Sequence, residues 1–160
     1  MFRRQMMAMM VAMLILFPLT AYADARVTAA GALVDTMISD LETFLATDTG
    51  DESARTAEID RVLNTYFDMD SITRFSAGQY WRAASSEQKT EYGSLFREVL
   101  CGKIVRNFDQ LQGLAYTADA ATAKGDKFVI VSGTFTDTTG QRPAVKVNWR
   151  VLTRKGAAPK

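Results

Sequence analysis

Ala144-Val145-Lys146-Val147-Asn148-Trp149-Arg150-Val151-Leu152-Thr153 is the stretch on which the fold turns. Val145, Val147, Trp149 and Val151 fall on one side of an extended chain, and Lys146, Asn148 and Arg150 on the other. That period of two is the mark of a half-buried strand. Immediately upstream, residues 128–135 (Phe-Val-Ile-Val-Ser-Gly-Thr-Phe) read as another strand, and residues 136–143, with Gly140 in the turn, make the two a hairpin. A shorter first strand is predicted over residues 114–118, just after Gly113.

Before Gly113 the period is 3.6. Tyr80-Trp81-Arg82 leads into Ser85, which is followed three residues later by Gln88. This is the pattern of a capping box, with Glu87 placed to favour the helix dipole. The helix is predicted to run to about Leu111, with apolar positions at Tyr92, Leu95, Phe96, Val99, Leu100, Ile104, Phe108 and Leu111. Gly93 and Gly102 lie inside it, each costing about 1 kcal/mol relative to Ala, and are read as allowing close approach of another element, with a bend as the alternative.

Three further helices precede it. Val27, Ala30, Val34, Met37, Ile38, Leu41, Phe44 and Leu45 make one stripe over residues 25–47. A polar loop over residues 47–53 ends in Ser53, the expected cap of a second helix through Ile59, Val62, Leu63, Tyr66 and Phe67. Asp68 or Asp70 starts a short third helix through Ile72 and Phe75, which stops near Gly78. Four helices followed by a meander predict an α+β domain, with the helices packed on one face of an antiparallel sheet. Residues 155–160 read as another hairpin turn, and an edge strand as apolar as residues 144–153 calls for a neighbour beside it.

The other end of the chain reads as a leader. Arg3 and Arg4 precede an uncharged run from Met6 to Leu19, which closes on Ala21-Tyr22-Ala23. A basic start, an apolar run of about 14 residues and a small-x-small site make a cleavable signal peptide over residues 1–23. The run is short of the roughly 20 residues that a spanning helix needs. A single mature domain is expected over residues 24–160, exported to the periplasm after cleavage behind Ala23.

Composition narrows the chemistry. Without Arg3 and Arg4 the 19 basic residues become 17, against 18 acidic ones, so no basic surplus marks a nucleic-acid binder. Cys101 is the only cysteine, which excludes a disulfide within the chain, and histidine is absent. The commonest general base, the commonest neutral metal ligand and the Ser-His and Cys-His pairs are therefore missing. Asp68 and Asp70 read as helix caps, and Gly102-Lys103 lacks the flanking residues of a phosphate loop. A binder or carrier without cofactor is expected, not an enzyme.

Phe67-Asp68-Met69-Asp70, Arg74-Phe75, Gly78, Tyr80-Trp81-Arg82, Glu87-Gln88 and Leu95-Phe96-Arg97 with Leu100 occur in an order that resembles the MlaC/toluene-tolerance family. The resemblance continues more loosely through residues 129–135 and 145–152. It implies an NTF2-like, cone-shaped α+β domain whose cavity, between helices and a curved sheet, takes the acyl chains of a phospholipid. It also implies a shuttle between an outer-membrane lipoprotein complex and an inner-membrane ABC-type lipid transporter. Members of that family continue with a further strand and a final helix, so the resemblance implies a domain incomplete at its C-terminus. The apolar residues proposed to line the lipid site are Ile72 and Phe75 on the third helix and Phe96, Val99, Leu100 and Ile104 on the fourth. Val129, Val131, Val145, Val147 and Trp149 complete the set from the strands. The alternatives are a carrier of another apolar lipid, such as a hopanoid, and a non-enzymatic periplasmic adaptor.

Overall fold

The computed structural model describes residues 18–153 and 159–160, with side chains from Ala25 onward. Residues 1–17, the greater part of the expected leader, lie outside the described residues, as do residues 154–158 of the expected terminal turn. Four helices come first: α1 (Pro18–Thr47), α2 (Glu52–Tyr66), α3 (Met69–Ala77) and α4 (Ser86–Arg106). Short 3-10 turns follow α3 (Gly78–Arg82) and α4 (Phe108–Leu111). Then come β1 (Leu114–Lys124), β2 (Phe128–Asp137) and β3 (Val145–Leu152), an antiparallel meander in the order β1-β2-β3. No described helix is long and apolar enough to cross a membrane. The α+β architecture is the one the two periods predict.

Local chemistry sets the helix boundaries. Ser85 accepts from the Gln88 amide, and the Gln88 side chain accepts from the Ser85 amide at 2.9 Å, so the capping box forms as expected. Asp68 caps α3 through Ser71, also as expected. The cap of α2 is Asp51, accepting from Ala54 N at 2.8 Å, and not Ser53, which lies inside the helix. A carboxylate at that position also favours the helix dipole. α4 ends at Arg106 rather than near Leu111. Asn107 leaves helical geometry (φ −108°, ψ 13°), and the Phe108–Leu111 turn then swings Phe108 inward, where it is fully buried.

β1 is twice the expected length because a bulge disguises it. Up to Ala118 its residues pair in one register with β2, and from Ala120 the register shifts by one, leaving Asp119 unpaired. The extra residue keeps Tyr116, Ala118, Ala121 and Ala123 opposite Phe135, Gly133, Val131 and Val129, but it breaks the period of two in the sequence. Asp119 instead accepts from the Thr134 hydroxyl at 3.0 Å.

Two apolar clusters share the interior. In the first, Ala30, Val34, Met37 and Ile38 of α1 lie on Val129 and Val131 of β2 and Val151 of β3, with Val62 and Tyr66 of α2. Each large side chain so buried contributes about 1.5–3 kcal/mol. The second gathers Ile59 and Leu63 of α2, Cys101 and Val105 of α4, and Phe108. Phe108 meets Phe44 edge-on at 5.6 Å, and the Arg55 guanidinium covers its ring at 4.8 Å while pairing with Asp48 and Asp109. Gly93 of α4 faces Thr73 of α3, though a methyl there would meet Thr73 Cγ2 only at 3.8 Å, an ordinary contact.

Candidate lipid-binding groove

α1, α3 and β3 enclose a groove of about 640 Å³, within the range typical of small-molecule sites. Leu33, Val34 and Met37 form its α1 side. They come from the same stripe that covers the sheet, so the outer edge of that stripe is what remains open. Tyr66 and Phe67 close the corner between α2 and α3, and Ile72 and Phe75 line the α3 side. Trp149, Val151 and Leu152 provide the β3 wall. Phe75 stands at the rim, 88% exposed, an unusual state for so large an apolar side chain.

Of the residues proposed from sequence, the structure brings Ile72, Phe75 and Trp149 together here. Val129 and Val131 lie behind the groove, sealed beneath α1 at 0% and 2% exposure. Val145 and Val147 are further along β3, outside the lining, and Val145 is exposed. The α4 residues are elsewhere. Leu100 and Ile104 pack on the second cluster, Phe96 stacks on Tyr92 at 6.1 Å, and Val99 is exposed. Val34, Met37, Tyr66 and Phe67 were legible only as members of helical stripes, and Leu33 stood outside the predicted stripe. A stripe shows which face is buried but not that part of it borders an opening.

The polar groups around the groove are engaged in structure. The Tyr66 hydroxyl donates to Asp40 at 2.5 Å, and Arg61 bridges Asp40 and Glu58 at 3.0 and 2.6 Å. The bonds from Tyr66 and Arg61 hold the Asp40 carboxyl below its ordinary range, and the same bond holds the Tyr66 phenol above its own. Asp68 is spent on capping α3. Deeper in the sheet, the Tyr116 hydroxyl and Trp149 Nε1 are shut off from solvent without a hydrogen-bond partner. Burial pushes the Tyr116 phenol up; Trp149 partly offsets this but does not meet the geometry of a hydrogen bond. Burial likewise raises the Cys101 thiol, opposite to the activation a nucleophile needs. Among the described residues, no group of three or more acidic or sulfur ligands is placed to hold a metal ion.

The groove is thus predominantly apolar, with Asp68, Ser71, Asn148, Arg150 and Lys160 as the other polar residues of its lining besides Tyr66. The sequence model of the MlaC protein family matches residues 32–159. The chain belongs to the MlaC family. The match takes in every element that lines the groove, from the middle of α1 to Leu152. Among solved structures, the phospholipid-binding protein from Ralstonia solanacearum, in complex with a phospholipid, superposes with a TM-score of 0.59. It is 22% identical, and the alignment covers 77% of this chain and 70% of that one. The likeness extends the MlaC assignment to the three-dimensional fold. No curated protein matches the chain.

Proposed function

We propose that this MlaC-family chain is a periplasmic phospholipid carrier that receives acyl chains in the groove between α1, α3 and β3. The carrying observation is the apolar lining itself, Met37, Ile72, Phe75 and Trp149, in a family member whose structural neighbour was solved with a phospholipid bound. The energetics favour such a device. Burying a CH₂ is worth about 0.8 kcal/mol, so a 16-carbon chain left in water costs on the order of 12 kcal/mol. An aqueous compartment between two membranes therefore needs a protein that covers the tails. Residues 1–23 would direct export and be removed. Lipid would then pass between an inner-membrane ABC-type transporter and an outer-membrane lipoprotein complex. The groove offers cover and no activated nucleophile, which supports carriage over turnover.

The chain has two tryptophans, Trp81 and Trp149, and only Trp149 lines this groove. In a Trp81→Phe variant the fluorescence should be quenched by phospholipid brominated along its acyl chains, and not by the unbrominated lipid. Mass spectrometry of organic extracts from the purified protein should show diacyl phospholipid. Lack of quenching together with an empty extract would sink the carrier reading. A hopanoid in the extract would replace phospholipid as the cargo.

A further inference from the structure

The face of α3 opposite the groove borders a second cleft, of about 470 Å³, between α3, the Gly78–Arg82 turn and α4. Ile72 and Phe75 belong to the groove, and Thr73 and Arg74, the two residues between them, belong to the cleft. Arg74 comes from the last turn of α3, and Lys89 and Arg97 come from α4. Asp70 is the one carboxylate of the lining. Neither Arg74 nor Lys89 forms an ion pair among the described residues, with Asp70 or with any other carboxylate. Lys89 is half-buried, its ammonium 5.8 Å from the centre of the Trp81 ring. Arg97 is anchored by α2. Its Nε donates to Asp60 Oδ1 at 2.8 Å and its Nη2 to the Asp60 carbonyl at 3.2 Å, while Nη1 has no bond among the described residues.

Thr73 adds an observation that charge alone does not supply. It is 6% exposed, and its hydroxyl has no partner among the described residues, although its carbonyl accepts from Ser76 Oγ at 2.8 Å. Buried hydroxyls are normally bonded. The two on α4 that also line the cleft are: Thr90 and Ser94 donate to the carbonyls four residues before them, at 3.0 and 3.2 Å. Beside Thr73 lies Gly93, in the interior of α4, where glycine is less favourable than alanine. Crowding does not require it, because a methyl there would meet only Thr73 Cγ2, at the ordinary distance of 3.8 Å. A floor left bare, an unspent buried hydroxyl next to it and cations without carboxylate partners all fit a bound anion.

We propose that the cleft between α3 and α4 binds a phosphate-type oxyanion, held by Arg74, Lys89 and the Thr73 hydroxyl, with Arg97 fixed by Asp60 as a third cation. A guanidinium fork matches the oxygens of such an anion, and an ammonium adds a compact charge. The same chemistry serves a soluble phosphate ester and the phosphate of a lipid headgroup at a membrane surface. Cleft and groove lie on opposite faces of α3, so the inference does not depend on what the groove carries.

The test titrates the full chain with inorganic phosphate, at an ionic strength held constant with sodium chloride, and follows the backbone amides of Thr73, Gly93 and Ser94 by NMR. These should shift saturably, and glycerol 3-phosphate should act in the same way. An Arg74→Gln/Lys89→Gln variant, its fold checked by thermal melting, should bind roughly tenfold more weakly or worse, because it loses charged hydrogen bonds. Thr73→Val, nearly the same shape, should weaken binding severalfold while the melting temperature holds. Flotation with vesicles of phosphatidylcholine and phosphatidic acid separates the two sources. Flotation that inorganic phosphate reverses and the double variant loses assigns the cleft to a lipid headgroup; saturable phosphate binding without flotation assigns it to a soluble ester. Shifts that chloride alone reproduces, that never saturate, or that persist unchanged in Thr73→Val would overturn the proposal.

Discussion

A Cβ added to Gly133 would run into the ring of Tyr116, which leans over β2 at that point from its own place on β1. The phenol carries its hydroxyl into a sealed space near Trp149, where neither polar atom finds a partner. The absence of one side chain on the central strand is therefore what lets two large aromatics share the apolar face. Gly133→Ala should destabilise the protein by about 1–3 kcal/mol through overpacking, measured by chemical denaturation. In a Tyr116→Ala background the same substitution should cost much less, because residues in contact couple by energies of that order. Additive effects would show that Tyr116 has another resting place. Nothing in residues 128–135 announces this. Glycine in a strand signals some close approach, but which neighbour approaches depends on the register with β1.

Between elements, α1 is clasped to α2 by Tyr66, Asp40 and Arg61 next to the groove. Asp40 titrates below its ordinary value of 3.8 in the folded chain, and Tyr66 above its ordinary 10.0. For the lowered carboxyl, the stabilisation is complete above the unfolded value and lost as pH falls through the folded one. For the raised phenol, it is complete below the unfolded value and lost as pH rises through the folded one. Urea denaturation of wild type and Tyr66→Phe should therefore differ most on the plateau between, and the two should converge in acid and again in strong alkali. A gap that ignores pH would mean the phenol contributes packing alone. This clasp was invisible in the sequence, because Asp40 and Tyr66 stand 26 residues apart on different helices, whereas the capping box at Ser85 and Gln88 was legible because all its parts are local. The same contrast explains β1. Residues 119–124 are poor strand formers by composition, and pairing with β2 across a bulge overrides that preference.

For the whole molecule, the two periods settle the layers but not where the layers part. Ile72, Phe75 and Trp149 were legible as apolar and meet at the groove, while Leu100 and Ile104, equally apolar, close a different cluster. Periodicity marks the buried face of each element; which faces meet and which leave a gap follows from how α1 lies on the sheet and where α3 stands beside it. The consequence is a separation between carrying and folding. Phe75 is 88% exposed at the rim and Val131 is 2% exposed behind it. Phe75→Asp sets a carboxylate in water, so the melting temperature should hold while lipid recovered with the protein falls, because an acyl chain entering the groove would pass a charge. Val131→Asp buries an unpaired charge, at several kcal/mol even after its pKa shifts. Against a total stability of about 5–15 kcal/mol that should abolish or severely weaken folding. Parallel lipid extraction and thermal melting of the two variants read both effects. Full lipid loading in Phe75→Asp would move the cargo out of this groove, and a stable Val131→Asp carrying no lipid would place the binding surface on the sheet beneath α1.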